Sequence, residues 1–340
     1  MIPLVDVVIV NWNAGVHLHN CLRSLARADQ SRLRVGEVVV VDNASSDGSA
    51  RDLQAPGLAL RVVRNSDNRG FASACNQGAA LCRSDFVLFL NPDTELYPDT
   101  LRITGEFLST PGAQRFGIVG ARMVDEQGSP RISASRFPSP RMYIGGMTGL
   151  DRLAPGLFPP HHLRPQHLPS SGPVDQVIGA FFLVRRPLFN ELNGFDEGYF
   201  LYLEEVDFAL RARRLGWPSY HLADARVYHA EAISSAQLGP WRHYLLLCSR
   251  TRYMLRHWPR PQAWLLTGLS LSVEPAARLV AAALRGQALN MRATLAVQRA
   301  FLRWLRHGRP TGPPPDSCIS TRQVAEPRHV RPALTRRRPA

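Results

Sequence analysis

Apolar positions follow two different periods along the first 115 residues of the chain. Short runs rich in β-branched residues, such as VDVVIVN at 5–11 and EVVVVD at 37–42, predict buried strands. Between such runs, apolar residues recur at helical spacing. The predicted strands cover residues 5–11, 37–42, 60–64 and 85–90, and the predicted helices cover 16–28, 70–81 and 99–108. Nearly all-apolar strands that alternate with helices predict an α/β fold, in which a mostly parallel sheet is covered by helices on both faces.

The pattern changes after residue 116. The predicted strands there cover residues 117–124, 177–184 and 225–229, and one helix covers 204–215. Residues 138–173, rich in Pro, Gly and His, predict a long loop region. Residues 241–306 predict helices broken at Pro259, Pro261 and Pro275. The apolar run at 263–273 is about half the length that crosses a bilayer, with Glu274, Pro275 and Arg278 ending it.

Composition divides the chain into three parts. The formal net charge is +14, yet residues 1–235 carry 23 arginines against 24 acidic residues. Residues 236–307 carry 11 arginines against one glutamate, and the Pro- and Arg-rich tail at 308–340 predicts disorder. We therefore predict one α/β domain over 1–235, with halves 1–115 and 116–235, a basic helical region over 236–307, and the tail.

The distribution of charge and of cysteine excludes several functions. A near-neutral first domain argues against nucleic-acid binding, whereas the basic helices suit an anionic membrane surface or else pack on the first domain with their arginines in water. All 41 basic residues are arginine, which excludes P-loop and Schiff-base chemistry. Five scattered cysteines predict reduced thiols, and an N-terminus without a basic leader predicts a cytoplasmic protein. Such a protein could also be bound peripherally to the cytoplasmic face of the inner membrane.

Asn and Asp side chains collect where the first four predicted strands end. The residues concerned are Asn11, Asn13, Asp42, Asn68, Asn91 and Asp93. Any one of them could be a turn or capping residue. Because ligands of open α/β sheets bind outside the carboxyl ends of the strands, the four ends together predict a site for a polar ligand with hydroxyl, amide and phosphate groups.

Three further positions carry candidate chemistry. Asp93, held by the turn after Asn-Pro, is either a ligand of a hard divalent cation or a plain turn residue. Glu204, Glu205 and Asp207 open a helix behind an aromatic run, which suggests a general base among them, although such acids also complement the helix dipole. His229 ends the last strand as a ligand or as a structural residue.

Five linked motifs resemble the family 2 glycosyltransferases, most closely the rhamnosyltransferase-like branch of bacterial polysaccharide assembly. They read DNASSDGS (42–49), NRGFA (68–72), LNPD (90–93), GAFFLVRR (179–186) and GFDE to YLEEVD (194–207), within residues 4 to 260. The resemblance implies a GT-A fold, a dTDP- or UDP-sugar donor, Mg²⁺ or Mn²⁺, inversion at the anomeric carbon, and a lipid-linked or glycan acceptor in cell-envelope or exopolysaccharide synthesis.

The resemblance also implies roles for single residues. For the donor these are Asn11, Asn13 and Asp42 at the nucleobase and ribose, and Asn68, Gly70, Asn76 and Asn91 near the sugar nucleotide. Asp93 is the one carboxylate left of the family's Asp-x-Asp metal motif. Glu205 stands where the family has an aspartate base, and His229 stands as metal or diphosphate partner. A hexosyltransferase with another donor, or a nucleotide-sugar-binding protein without turnover, remain the alternatives.

Overall fold

The computed structural model describes residues 2–168, 170–230, 237–286 and 288–308. Its main feature is a nine-stranded sheet. The strands are β1 (Leu4–Asn11), β2 (Arg34–Asp42), β3 (Ala59–Arg64), β4 (Phe86–Leu90), β5 (Thr94–Leu96), β6 (Ile118–Val124), β8 (Gly172–Val174), β10 (Phe181–Arg185) and β11 (Ser219–His229). Two short strands, β7 (Ala134–Ser135) and β9 (Gln176–Val177), pair with each other outside it.

The sheet is mixed rather than purely parallel. Its order is β3-β2-β1-β4-β10-β6-β11-β5, with β8 on β11. The first four strands, β1 to β4, pair in parallel, as predicted. Strand β10 is antiparallel to both β4 and β6, and β5 is antiparallel to β11. The ends of β4 and β11 therefore come together at one side of the sheet through β5.

Helices cover both faces of the sheet. The helices up to residue 214 are α1 (Val16–Arg27), α2 (Phe71–Ala79), α3 (Thr100–Leu108), α4 (Pro140–Thr148), α5 (Leu150–Leu153), α6 (Arg186–Glu191) and α7 (Glu204–Arg214). Of these, α4 packs on the helices that follow the sheet, and α5 buries no side chain. Strand β1 shows why both faces are buried, since Val7 and Ile9 belong to one core cluster with α1 while Val8 and Val10 belong to the other with α2 and α7. Alternate side chains of a strand point to opposite faces, so an all-apolar strand needs cover on both.

Three predictions about the second half need correction. Residues 138–173 form helices α4 and α5 and a strand rather than one long loop, because Ser139 caps α4 by accepting a hydrogen bond from the Met142 amide and Pro140 starts the helix. The single strand predicted over 177–184 is two strands that pair with different partners, β9 with β7 and β10 with β4 and β6. Strand β11 starts at Ser219, six residues before the predicted 225.

Four more helices follow the sheet: α8 (Trp241–His257), α9 (Arg260–Leu271), α10 (Val273–Leu284) and α11 (Ala288–His307). Pro261 and Pro275 lie in the first turns of α9 and α10, where a missing N–H leaves no bond unmade. Glu274, the predicted end of the apolar run, lies in the first turn of α10, where its side chain is buried against Arg250. By length and composition alone, Arg260–Leu284 could cross a membrane, with an 18-residue window of mean hydropathy 1.2 that is 33% buried.

Helix α8 packs on the α/β part of the chain. Ser249 Oγ donates to the Leu201 carbonyl (2.8 Å) and Arg252 pairs with Asp196 (2.6 Å). Packing on the first domain, one of the two alternatives for the basic helices, is therefore what α8 shows. The boundary at 235 stays a prediction. Of the tail predicted to be disordered over 308–340, residues 309–340 lie outside the described residues.

Candidate active site

A cleft of about 320 Å³ opens where β1, β4 and β11 end. It gathers several side chains that the sequence analysis had singled out: Asn68, Asn91, Asp93, Glu204, Glu205 and His229. Aromatic and apolar residues form its other walls: Trp12, Phe71, Ile178, Phe200, Leu201, Tyr202 and Leu238. The predicted crevice at the strand ends thus exists, and it holds carboxylates, amides and an imidazole together.

Asp93 and His229 face each other across two neighbouring strands. Asp93 directly precedes β5 and His229 ends β11, and these strands pair with His229 opposite Thr94. The Asp93 carbonyl accepts a hydrogen bond from the Ala230 amide (3.0 Å), which holds the two strand ends together. His229 Nε2 lies 3.3 Å from Asp93 Oδ1, and the two side chains are 12% and 7% exposed. Sequence pattern placed each at a strand end, and the sheet brings them into contact.

Glu204 and Glu205 enter the cleft from the first turn of α7. The two residues before them, Tyr202 and Leu203, both have left-handed backbone conformations, with φ of 73° and 67°. Such angles are uncommon for non-glycine residues and concentrate at functional sites. They turn the chain so that both glutamates line the cleft. The Oε2 atoms of Glu204 and Glu205 have no hydrogen-bond partner in the described part of the molecule.

Burial raises the pKa of both glutamates. The pKa of Glu204 lies well above its ordinary value, first because of desolvation and second because of the charge of Glu205. Desolvation is also the main cause that raises the pKa of Glu205. Carboxyl groups with raised pKa values are typical of sites where a side chain takes a proton from a substrate or gives one to it.

Asp207, the third carboxylate in the set of candidate bases, does not line the cleft. Its side chain is fully buried, and its oxygens accept hydrogen bonds from Arg211 Nε (2.7 Å) and His257 Nε2 (2.7 Å). A carboxylate enclosed by cations cannot reach a substrate hydroxyl. The structure therefore narrows the choice of base to Glu204 and Glu205, and Asp207 links α7 to α8.

Asn11, Asn13 and Asp42 lie behind the cleft lining. Asn11 Nδ2 donates to Asp42 Oδ1 (2.9 Å) and to Ser49 Oγ (2.9 Å), both deep in the fold. Asn13 has φ of 51°, and its Oδ1 accepts from the Ser46 amide (2.8 Å). These bonds organise the loops after β1 and β2. Contact with the nucleobase and ribose stays a prediction for all three.

Of Asn68, Gly70 and Asn76, which the resemblance places near the donor, only Asn68 is among the described residues that line the cleft. Asn68 lines the cleft, and its Oδ1 accepts hydrogen bonds from Asn43 Nδ2 (2.8 Å) and the Gly70 amide (3.0 Å). Gly70 has φ of 85°, and a Cβ there would lie 2.7 Å from the Phe200 carbonyl oxygen, so only glycine allows this approach.

Asn76, the third residue that the resemblance places near the donor, is used within the protein. Its Nδ2 donates to the Phe195 carbonyl (2.9 Å), and its Oδ1 accepts from the Phe195 amide (2.9 Å). Neither group faces the cleft. Asn76 thus attaches α2 to the chain before α7, and its place near the donor stays a prediction.

The analysis of the sequence missed Arg242 and Asn43. Arg242 is the second residue of α8, and its Nε donates to Tyr202 Oη (3.2 Å) at the cleft wall. No local signal marks it, because it lies in a helix identified only by its overall basic charge. Asn43 belongs to a quoted motif, but its contact with Asn68 depends on the pairing of β2 with β3.

Asp93 and His229 fit a divalent cation in part. Within the described ranges, no group of three or more His, Cys, Asp or Glu side chains could enclose a metal ion. Mg²⁺ typically takes one or two protein ligands and completes its shell with water and substrate phosphates. The Asp93 carboxylate agrees with that mode of binding, whereas the His229 imidazole is a softer ligand than Mg²⁺ prefers.

The comparison with solved structures identifies the fold. A mannosyltransferase from Pyrobaculum calidifontis, solved with GDP-mannose and Mn²⁺, superposes with a TM-score of 0.53. The match covers 90% of this chain and 88% of that one at 19% identity. The α/β sheet with its cleft is therefore the GT-A fold, as the resemblance implied.

The sequence comparisons identify the family. Residues 6–192 match the model of glycosyl transferase family 2. The N-acetylglucosaminyl-diphospho-decaprenol L-rhamnosyltransferase of Mycobacterium tuberculosis is 31% identical over 290 residues, which cover 79% of this chain and 91% of that protein. A low-salt glycan biosynthesis hexosyltransferase of Haloferax volcanii, Agl10, is 25% identical over 63% of each chain. The chain belongs to glycosyltransferase family 2, near its rhamnosyltransferase branch, and is a glycosyltransferase.

Proposed function

We propose that the protein transfers an L-rhamnosyl group from a dTDP-sugar to a hydroxyl of a lipid-linked acceptor during cell-envelope glycan synthesis, with inversion. The observation that supports this most is that Asp93, His229 and Glu205 line one cleft, with Asp93 and His229 in contact. Asp93 and His229 offer ligands for a diphosphate and its cation, and Glu205 offers a base. The similarity to the mycobacterial enzyme, whose name states a rhamnosyl group and a diphospho-decaprenol acceptor, supports the choice of substrates.

The reaction needs one proton acceptor and one site for the leaving group. Glu205 takes the proton of the acceptor hydroxyl. The hydroxyl oxygen of the acceptor bonds to the anomeric carbon from the face opposite the diphosphate. The bond from that carbon to the diphosphate oxygen breaks in the same step, and its electron pair leaves with the diphosphate. Asp93 and His229 would hold Mg²⁺ or Mn²⁺, whose charge offsets that of the departing diphosphate. Glu204, buried beside Glu205, favours a single negative charge on the pair.

A donor panel tests this proposal. The full chain is incubated with an N-acetylglucosaminyl diphospho-polyprenol acceptor and with dTDP-rhamnose, UDP-glucose, UDP-galactose or GDP-mannose, each with Mg²⁺, Mn²⁺ or EDTA. We expect transfer from dTDP-rhamnose with metal only, and formation of the inverted linkage. Transfer from another donor would favour the hexosyltransferase alternative, to which the Haloferax relative points. Binding of a nucleotide sugar without any transfer would overturn the proposal.

We also propose that the enzyme contacts an anionic membrane surface through α9 and α10. Trp264, Leu265, Val280 and Leu284 on these helices are 51%, 65%, 60% and 84% exposed. Arg260 lies on α9 and Arg278 on α10, and basic residues near an anionic leaflet contribute about 1 kcal/mol each. Exposed apolar side chains among basic ones are typical of interfacial helices. A lipid-linked acceptor would be met at that interface.

Co-sedimentation with vesicles tests the membrane contact. We expect the full chain to bind vesicles with phosphatidylglycerol, to bind neutral vesicles weakly, and to lose binding as salt rises. A chain with Trp264→Ser and Leu265→Ser should bind several-fold less, whereas removal of residues 309–340 should leave most of the binding. If removal of those residues abolishes binding, the tail is responsible and the helices are not.

A further inference from the structure

The cleft has a charge imbalance that its proposed substrates would increase. Among the described residues that line it, Asp93, Glu204 and Glu205 carry carboxyl groups, and Arg242 is the only arginine. A diphosphate brings further negative charge into this cleft. Because the chain has no lysine, a permanent cation there must come from arginine.

Arg242 differs from the other arginines of α8 in its partners. Arg250 pairs with Glu274, and both Arg252 and Arg256 pair with Asp196. The side chain of Arg242 forms no ion pair within the described part of the chain. Its one side-chain hydrogen bond there runs from Nε to Tyr202 Oη (3.2 Å). The two terminal nitrogens of its guanidinium group are therefore available to an anion at the cleft.

The surroundings of Arg242 hold it in place. Leu238 is buried in a cluster with Trp12, Tyr202 and Trp241, which fixes the start of α8 against the end of β1 and the chain before α7. Tyr202 has a left-handed backbone and lies two residues before Glu204. The tyrosine hydroxyl thus orients the guanidinium toward the cleft that the glutamates line. The start of a helix adds a partial positive charge in the same place.

We propose that Arg242 binds a phosphate group of a substrate in the cleft. A guanidinium presents two parallel N–H groups that match a phosphate in a bidentate pair, so it suits a diphosphate better than it suits a neutral sugar. The diphosphate has two possible sources, the nucleotide-sugar donor and a lipid diphosphate acceptor. The inference rests on the proposed function only for the identity of these substrates.

Binding measurements without turnover test the assignment. The full chain and its Arg242→Gln variant are titrated with dTDP, UDP, thymidine and uridine in EDTA, and with farnesyl diphosphate and farnesol. Loss of a bidentate charged contact should weaken the binding of the affected diphosphate about 10- to 100-fold and leave thymidine, uridine and farnesol unchanged. Tyr202→Phe, which removes the orienting hydroxyl, should weaken the same ligand by a smaller factor.

The matched control is Arg141→Gln. Arg141 is also exposed and also the second residue of its helix, α4, but it lies outside the cleft. A loss confined to dTDP or UDP assigns Arg242 to the donor diphosphate, and a loss confined to farnesyl diphosphate assigns it to the acceptor. If Arg242→Gln binds all diphosphates as the Arg141→Gln control does, the inference is overturned. These experiments measure binding and not transfer. They therefore test the role of Arg242 even if the proposed rhamnosyl transfer is not observed.

Discussion

Asp207→Asn should destabilise the protein without removing the chemistry of the site. The substitution keeps the shape of the side chain and removes its charge. Asp207 is fully buried, and the nitrogens of two arginines and a histidine lie against it: Arg211 Nε at 2.7 Å, Arg256 Nε at 3.2 Å and His257 Nε2 at 2.7 Å. Asparagine can accept from one of these donors, but it cannot offset their charge.

The size of the effect follows from which partners keep other bonds. Removing one member of a buried ion pair costs about 3–5 kcal/mol of folding free energy. Arg211 retains its hydrogen bonds to the carbonyls of Leu192 (2.7 Å) and Gly194 (2.9 Å), so we expect the lower end, about 3 kcal/mol. With an unfolding entropy of about 2.1 cal/mol/K per residue, this loss lowers the melting temperature of the 340-residue chain by about 4 °C.

The effect should depend on pH with a definite sign. Burial acts to raise the pKa of Asp207, but the hydrogen bond from His257 and the charge of Arg211 outweigh it, so the pKa is lowered. A carboxylate with a lowered pKa stabilises the fold above its unfolded value, about 3.9, and this contribution is lost as pH falls through the folded value. The difference between wild type and Asp207→Asn should thus be full at pH 7 and shrink below about pH 4.

Urea unfolding at pH 7, 5 and 3.5, followed by circular dichroism, measures these differences. Asp224→Asn is the control, since Asp224 is exposed on β11. Turnover per folded molecule, measured well below the melting temperature, should change only a few-fold. A variant as stable as wild type at pH 7 would refute the stabilising role of Asp207. A stable variant whose transfer is lowered 100-fold or more would show that Asp207 belongs to the reaction.

Three further substitutions test the cleft. Glu205→Gln should lower transfer about 10²- to 10⁴-fold while dTDP or UDP still binds, as measured by product formation and calorimetry; activity within tenfold of wild type would contradict its role as base. Asp93→Ala should remove the gain in nucleoside diphosphate affinity that Mg²⁺ or Mn²⁺ provides, with little change in melting temperature, and a retained metal effect would count against it. Glu204 has a raised pKa, so its ionisation opposes folding as pH rises. Glu204→Gln should therefore gain melting temperature relative to wild type between pH 5 and 8, and a gap that is constant with pH would refute this.

Much of the fold could be predicted from the sequence because its signals are local. Strands β1 and β2 are nearly all apolar, which requires cover on both faces, and α1 shows its apolar face at helical spacing. The polar ends of these strands then located the cleft. The periodicity of apolar positions does not determine which strands pair. The antiparallel insertion of β10 between β4 and β6 could therefore not be predicted from it.

The sequence predicts which types of residue form the candidate site, but not how they contact one another. Asp93 and Glu205 stand in recognisable motifs, but the contact of Asp93 with His229 exists only because β5 pairs with β11. The same pattern of acids could not separate Glu205 from Asp207, since their difference lies in what packs against each from α8. Arg242 reaches the cleft because a distant helix folds back onto Tyr202. Local chemistry is written in the sequence, whereas charge pairing and burial depend on neighbours that are remote along the chain, and only the tertiary structure decides them.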